Sequence, residues 1–286
     1  MATPVLTVSA TAKAMSASTV HSLSGSTLSA AAATIAVGIF GSLSAPTCAE
    51  SFKPTILEPG PAVLARLDHA LPHVGARLAE RQAVKIVALG SSSTEGVGAS
   101  SPAKSYPARL SAVLRARYPD IDIIVKNLGV RGEDAEEMLA RLDRVIAEKP
   151  DLIVWQVGTN AVLDNLDLAE QASLIRAGLA RLMATGADVV LIDPQYAPQV
   201  INKPNAVGMV ELIESVAHES GIGVFHRFAI MRHWKTVQHV SYGTFTSHDG
   251  LHMNDWSYDR IATLLAGAIG EASVQPVRGR ASSGPI

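Results

Sequence analysis

From residue 84 onward the chain alternates between short β-branched apolar runs and longer stretches in which apolar positions recur every three to four residues. The short runs predict strands over 84–89, 121–126, 152–157, 189–193 and 223–225. The longer ones predict helices over 103–118, 134–148, 167–185 and 205–220, with a last helix from about 255 to 269. Because the strand runs lack the in/out alternation of a half-solvated sheet, each strand is expected to be covered on both faces. Helix-length connections between strands force parallel pairing. The predicted fold class is therefore α/β, a three-layer α/β/α sandwich with about five parallel strands.

The pattern stops at both ends. The first 49 residues carry a single formal charge, Lys13, and contain the apolar run LSAAAATIAVGIFGSLSA over 28–45, followed by Pro46 and small residues to Ala49. That order predicts a signal peptide cleaved near Ala49, an exported protein, and no stable membrane insertion once the segment is removed. The run is short and broken by Gly and Ser, which argues against a spanning anchor. Met15 is an alternative start. Residues 50–83 hold four prolines in their first 31 positions and read as a lead-in with one short helix; 271–286 lacks any period and reads as a disordered tail.

Composition removes several function classes. The chain of 286 residues is 48% hydrophobic and 17% charged with a net charge of −2, so it is neither a disordered polyelectrolyte nor equipped with the basic surface that nucleic acid requires. Cys48 is the sole cysteine, which excludes internal disulfides and multi-cysteine metal sites. His226, His233, His239 and His248 gather before Asp249, yet their spacings match no zinc motif, and no metal or cofactor is expected. The segment holding them, 226–248, is long for a connection and reads as a flap over a substrate pocket.

In a parallel α/β sheet, ligands sit at the carboxyl ends of the strands. Four such junctions carry polar or glycine-rich signatures: Gly90-Ser91-Ser92-Ser93-Thr94-Glu95-Gly96, Asn127-Leu128-Gly129, Gly158-Thr159-Asn160 and Asp249-Gly250-Leu251-His252. In this order the blocks resemble the SGNH subgroup of GDSL serine esterases and lipases, whose four namesake residue types fall on Ser92, Gly129, Asn160 and His252. Two departures stand out: Ser91 replaces the usual Asp of the first block, and Ala161 follows Asn160 where Asp is common. The resemblance covers roughly residues 84–270. It implies a flavodoxin-like fold, an ester hydrolase without cofactor, and substrates ranging over acylated sugars, lysophospholipids, thioesters and simple esters.

The residues support that chemistry on their own terms. A serine hydroxyl needs a neighbouring base at neutral pH, and imidazole is suited to the task. His252 is the candidate base and Ser92 the nucleophile, with Asp249 placed three residues earlier to orient the ring. The Ser92 and Gly129 N–H groups and the Asn160 amide are candidate oxyanion donors. Each also has a blander reading: Ser92 as a turn serine, Gly129 as a positive-φ residue, Asn160 as a cap, Asp249 as a turn former and His252 as a surface histidine. Asn254, ahead of the last helix, reads as its cap. The expected activity is hydrolysis of short acyl, chiefly acetyl, esters of carbohydrate. A lipid or thioester hydrolase, an acyltransferase and a non-catalytic carbohydrate-binding module are the alternatives.

Overall fold

The computed structural model of the protein describes residues 60–276; the expected signal peptide and most of the expected tail lie outside them. Five strands, β1 (Val84–Gly90), β2 (Ile123–Gly129), β3 (Leu152–Gln156), β4 (Asp188–Ile192) and β5 (Gly223–Phe225), form one parallel sheet in the order β2-β1-β3-β4-β5. The chain reverses its direction of winding between β1 and β3, which opens a crevice at the carboxyl ends of those two strands.

Alternate residues of the strands feed two separate cores, which is why the sequence shows no polar face. Ile86, Ala88, Val154 and Ile192 pack with Tyr258, Ile261 and Leu265 of the C-terminal helix on one side. On the other, Val87, Leu89, Ile153, Trp155 and Leu191 pack with Leu179 and Ile213. Each of the buried valine, leucine and isoleucine side chains among them contributes about 1.5–3 kcal/mol.

The predicted helices over 167–185 and 205–220 appear as Leu168–Met183 and Ala206–Ser220. The helix expected over 103–118 occupies Tyr106–Arg117, preceded by a 3-10 turn at Pro102–Lys104. Five differences have physical causes. Strand β2 starts later and ends later than expected, because its register with β1 runs to the Gly90–Gly129 pair through Asn127, a poor strand former. It is also an edge strand, with Ile124 exposed. The helix expected over 134–148 is two helices, Ala135–Ala140 and Leu142–Ala147, broken at Arg141. The last helix extends to Ala272, where Ile269 and Ala272 are buried and the Ala272 carbonyl accepts the Leu71 N–H. Within the lead-in, two helices appear, Pro61–Leu64 and Pro72–Ala79, and Ala65, Leu67, Leu71 and Val74 join the first core.

The fifth difference concerns 226–248. The segment expected as a flap carries regular structure: it folds as helices Arg227–Thr236 and Tyr242–Phe245, fastened by buried Phe228, Ile230, Met231, Trp234 and Phe245. Trp234 meets Phe245 and Trp256 edge-on at 5.8 and 5.1 Å. Aromatic anchors of this kind fix the backbone that leads directly into Asp249 and His252.

Candidate active site

Ser92 opens a one-turn helix, Ser92–Glu95, immediately beyond β1. Its backbone N–H lies in that first turn, where amides have no intrahelical acceptor. The turn is buried: Ser91 is 1% exposed and Ser92 8%. Its polar groups are satisfied by a residue from another strand. Gln156 Oε1, at the end of β3, accepts from Ser91 N–H at 3.0 Å, from Ser91 Oγ–H at 3.1 Å and from Thr94 Oγ1–H at 3.2 Å. The Tyr106 hydroxyl lies 3.2 Å from Thr94 Oγ1. Ser91, where the GDSL pattern has Asp, is therefore a donor aimed at a carbonyl oxygen; a carboxylate at this position would face an acceptor.

The structure brings Ser92, His252 and Asp249 together, although the first two are 160 residues apart in sequence. A carboxylate only accepts, so His252 Nδ1–H donates to Asp249 Oδ2 at 2.6 Å, and Nε2 is left to accept from Ser92 Oγ–H at 2.9 Å. The loop that presents them is held by short-range bonds. Asp249 Oδ1 accepts from Leu251 N–H and His252 N–H, both at 2.9 Å, and from the Ser247 hydroxyl at 2.7 Å. Partial burial pushes the Asp249 carboxyl up, but these bonds, led by the one from the His252 ring, outweigh it and hold the carboxyl well below the usual carboxylate range. Asn254 caps the following helix, in a reciprocal capping box with Ser257.

The three expected oxyanion donors fare differently. Asn160 Nδ2 donates one hydrogen to the Glu133 carbonyl at 2.7 Å, which leaves its second N–H for a ligand, and Gly158, not Asn160, stands at the N-cap of the helix Thr159–Leu163. The Gly129 N–H donates to Asn127 Oδ1 at 2.9 Å, an Asx turn, so in this structure the amide is engaged there. The lack of a side chain at Gly129 lets the Ser92 turn pack closely, since a Cβ there would lie 2.1 Å from the Glu95 nitrogen.

Sequence reasoning missed Asn127 and Gln156 as parts of the site. Asn127 Nδ2 donates to the Thr94 and Glu95 carbonyls at 2.8 and 3.3 Å, tying the Ser92 turn to β2. Gln156 did leave a signal, as the one uncharged polar residue inside an otherwise apolar strand run. Beside the turn, Arg131 grips Glu95 through Nε and Nη2, and this pairing holds the Glu95 carboxyl below its ordinary range. Of the four histidines before Asp249, His233 is buried in its helix and His226 lies 4.0 Å from Asp193. No cluster of three or more potential metal ligands occurs among the described residues.

Known proteins resemble this chain both in sequence and in fold. An acetylxylan esterase of Geobacillus stearothermophilus is 38% identical over 64 residues, a match spanning 22% of this chain and 29% of that protein. A two-domain esterase active on acetylated mannans superimposes with a TM-score of 0.61 at 17% identity, over 75% of this chain and 56% of that one. The lipase/acylhydrolase of Enterococcus faecalis gives a TM-score of 0.54 at 24% identity, over 64% of this chain and 93% of its own. The chain thus spans under a third of the curated relative and just over half of the mannan-active esterase. The fold is that of the SGNH hydrolases. The sequence model of the Non-GDSL lipase-like family matches residues 59–275, which takes in all five strands and all four blocks, and the chain belongs to that family.

Proposed function

We propose that the protein is a serine ester hydrolase acting through an acyl-enzyme on short acyl, chiefly acetyl, esters of carbohydrate. The observation that carries this reading is the continuous chain of hydrogen bonds from Ser92 through His252 to Asp249, at 2.9 and 2.6 Å. Ser92 Oγ attacks the ester carbonyl carbon while its proton passes to His252 Nε2. The negative charge that develops on the carbonyl oxygen is met by the Ser92 N–H and the free N–H of Asn160, donors worth about 3 kcal/mol each in such a site. Collapse breaks the bond to the alcohol oxygen, which takes the proton from His252. Water then attacks the acyl-Ser92 carbonyl, with His252 accepting its proton; the bond to Ser92 Oγ breaks, Oγ takes that proton back from His252, and the acid is released. Asp249, ionised throughout, fixes the tautomer and stabilises the imidazolium.

Support for the substrate class comes from the relatives, an acetylxylan esterase and an esterase active on acetylated mannans. Export is part of the same proposal and rests on the sequence of residues 1–49. Two measurements test the reading. A fluorophosphonate probe is expected to label the wild type and not Ser92→Ala; equal labelling of both overturns the serine mechanism. Rates across p-nitrophenyl esters are expected to peak at the acetyl ester and to carry over to acetyl release from acetylated xylan or mannan. An optimum at eight carbons or longer would instead select the lipid-hydrolase alternative.

A further inference from the structure

The helical pattern over 134–148 runs without interruption in the sequence, yet the helix breaks at Arg141, whose backbone (φ −114°, ψ 13°) leaves the helical region. At the break, the side chain turns inward. Only 13% exposed, its guanidinium donates through Nε to Glu133 Oε2 at 2.6 Å, through Nη1 to the Leu128 carbonyl at 2.8 Å and through Nη2 to the Gly90 carbonyl at 3.2 Å.

The owners of those acceptors give the arrangement its meaning. Gly90 ends β1 two residues before Ser92, and Leu128 lies at the end of β2 beside Gly129. Glu133 supplies two groups: its carboxylate pairs with Arg141, and its backbone carbonyl accepts the Asn160 amide at 2.7 Å. A single planar cation therefore links the ends of β1 and β2 and, through Glu133, the first residues after β3. The Gly90 carbonyl it bonds flanks the turn that carries the Ser92 N–H, and the Glu133 it pairs with holds Asn160. A guanidinium is suited to this task because its donors are fixed in one plane, so its acceptors cannot drift independently. Partial burial strengthens each charge-assisted bond.

We propose that Arg141 is a positioning residue for the reaction: with Glu133 it sets the spacing between the Ser92 N–H and the Asn160 amide, and so the quality of the oxyanion hole. It touches no reacting atom. The inference rests on the ester-hydrolase reading above and adds to it a residue outside the four sequence blocks.

Arg141→Lys is the informative variant, since lysine keeps the charge beside Glu133 but gathers its three donors on one nitrogen, which cannot reach acceptors spread over Nε, Nη1 and Nη2 of the fork. Measured on the full chain, with active sites counted by fluorophosphonate titration, kcat per site for p-nitrophenyl acetate is expected to fall about 10- to 100-fold, part of the effect of deleting a whole donor. KM is expected to stay within about threefold. A boronic acid, which forms a tetrahedral adduct on the serine, is expected to bind more weakly by the same factor as kcat. That joint loss separates positioning from a merely structural role, which would lower the number of titratable sites and leave kcat per site and boronate affinity alone. Glu133→Gln, which keeps the backbone carbonyl and the side-chain shape, is expected to show a smaller loss in the same direction, and it decides the matter if Arg141→Lys does not fold. Wild-type kcat per site and boronate affinity in whichever of the two variants fold overturn the proposal. A wild type that hydrolyses no ester and takes up no phosphonate overturns the hydrolase reading itself, and this inference with it.

Discussion

The two halves of the site are built in opposite ways. The Ser92 turn is buried and depends on distant residues: its polar groups converge on Gln156, 62 to 65 positions away, and Tyr258 O–H reaches the Val97 carbonyl just beyond it at 2.7 Å. The Asp249–His252 loop orients its carboxylate by itself, although its carbonyls are tied to the segment after β4: Gln199 donates to the Asp249 and Gly250 carbonyls at 2.6 and 3.2 Å, and Gln195 to the Leu251 carbonyl at 3.3 Å. Every side-chain bond to the Asp249 carboxylate comes from within three residues, and its side chain is 42% exposed. The nucleophile is thus seated by buried long-range hydrogen bonds that are costly to leave unmade, and the base is oriented by a carboxylate whose own bonds are local.

This contrast predicts that activity and stability separate between the two halves. The largest effect is expected from Asp249→Asn, which removes the charge that fixes the His252 tautomer: kcat falls about 10³- to 10⁴-fold, while the thermal midpoint hardly moves because the loop keeps its local bonds. Steady-state kinetics and calorimetry on one preparation check both parts, and a large drop in midpoint would break the comparison. Gln156→Met conserves volume but strips the acceptor from three buried donors. It is expected to destabilise the protein by about 1–3 kcal/mol and to lower kcat by about tenfold through a loosened turn, as read by urea unfolding and by kinetics. Unchanged stability would mean that the turn does not depend on Gln156.

The smallest effect concerns pH. Asp193, following β4, is buried, and burial pushes its carboxyl up to about 6, against the opposing pull of His226 and of the Phe228 and Arg227 groups. A carboxyl raised in the folded state binds its proton more tightly there than in the unfolded chain. Its contribution to stability is therefore greatest below about pH 4 and declines as pH rises to about 6. Asp193→Asn is expected to remove that decline. The difference in thermal midpoint between variant and wild type should then shift in the variant's favour from pH 4 to pH 6.5; a constant difference would show that the group does not titrate there.

The contrast also explains what could be read from sequence. Asp249, His252 and the Asn254 cap form a short-range constellation, so one contiguous block of sequence, together with its resemblance to the fourth SGNH block, points to them. Strands β1, β3, β4 and β5 were legible because both faces are buried, and apolar runs leave no ambiguity. Strand β2 was displaced because an edge strand tolerates Asn127 and Lys126, which weaken the pattern. Ser92 could be placed by its flanking glycines, but Gln156 could not be given a role, since nothing near it in sequence shows which turn it supports. The packing role of Gly129 is hidden for the same reason: the close approach of the Glu95 backbone is a fact of the fold. The break at Arg141 escaped because helical periodicity continues straight through it, and its cause lies in carbonyls of two other strands.

Among the described residues, strand β2, like β5 at the opposite edge, is hydrogen-bonded to a neighbour along one side only. Of the two margins only that of β2 borders the nucleophile: fraying there would part Asn127 and Gly129 from the Ser92 turn while Gln156, on the interior strand β3, still held it. Partial melting at that margin would then disable the site without dissolving the core, with the serine still seated and its surroundings on the β2 side gone.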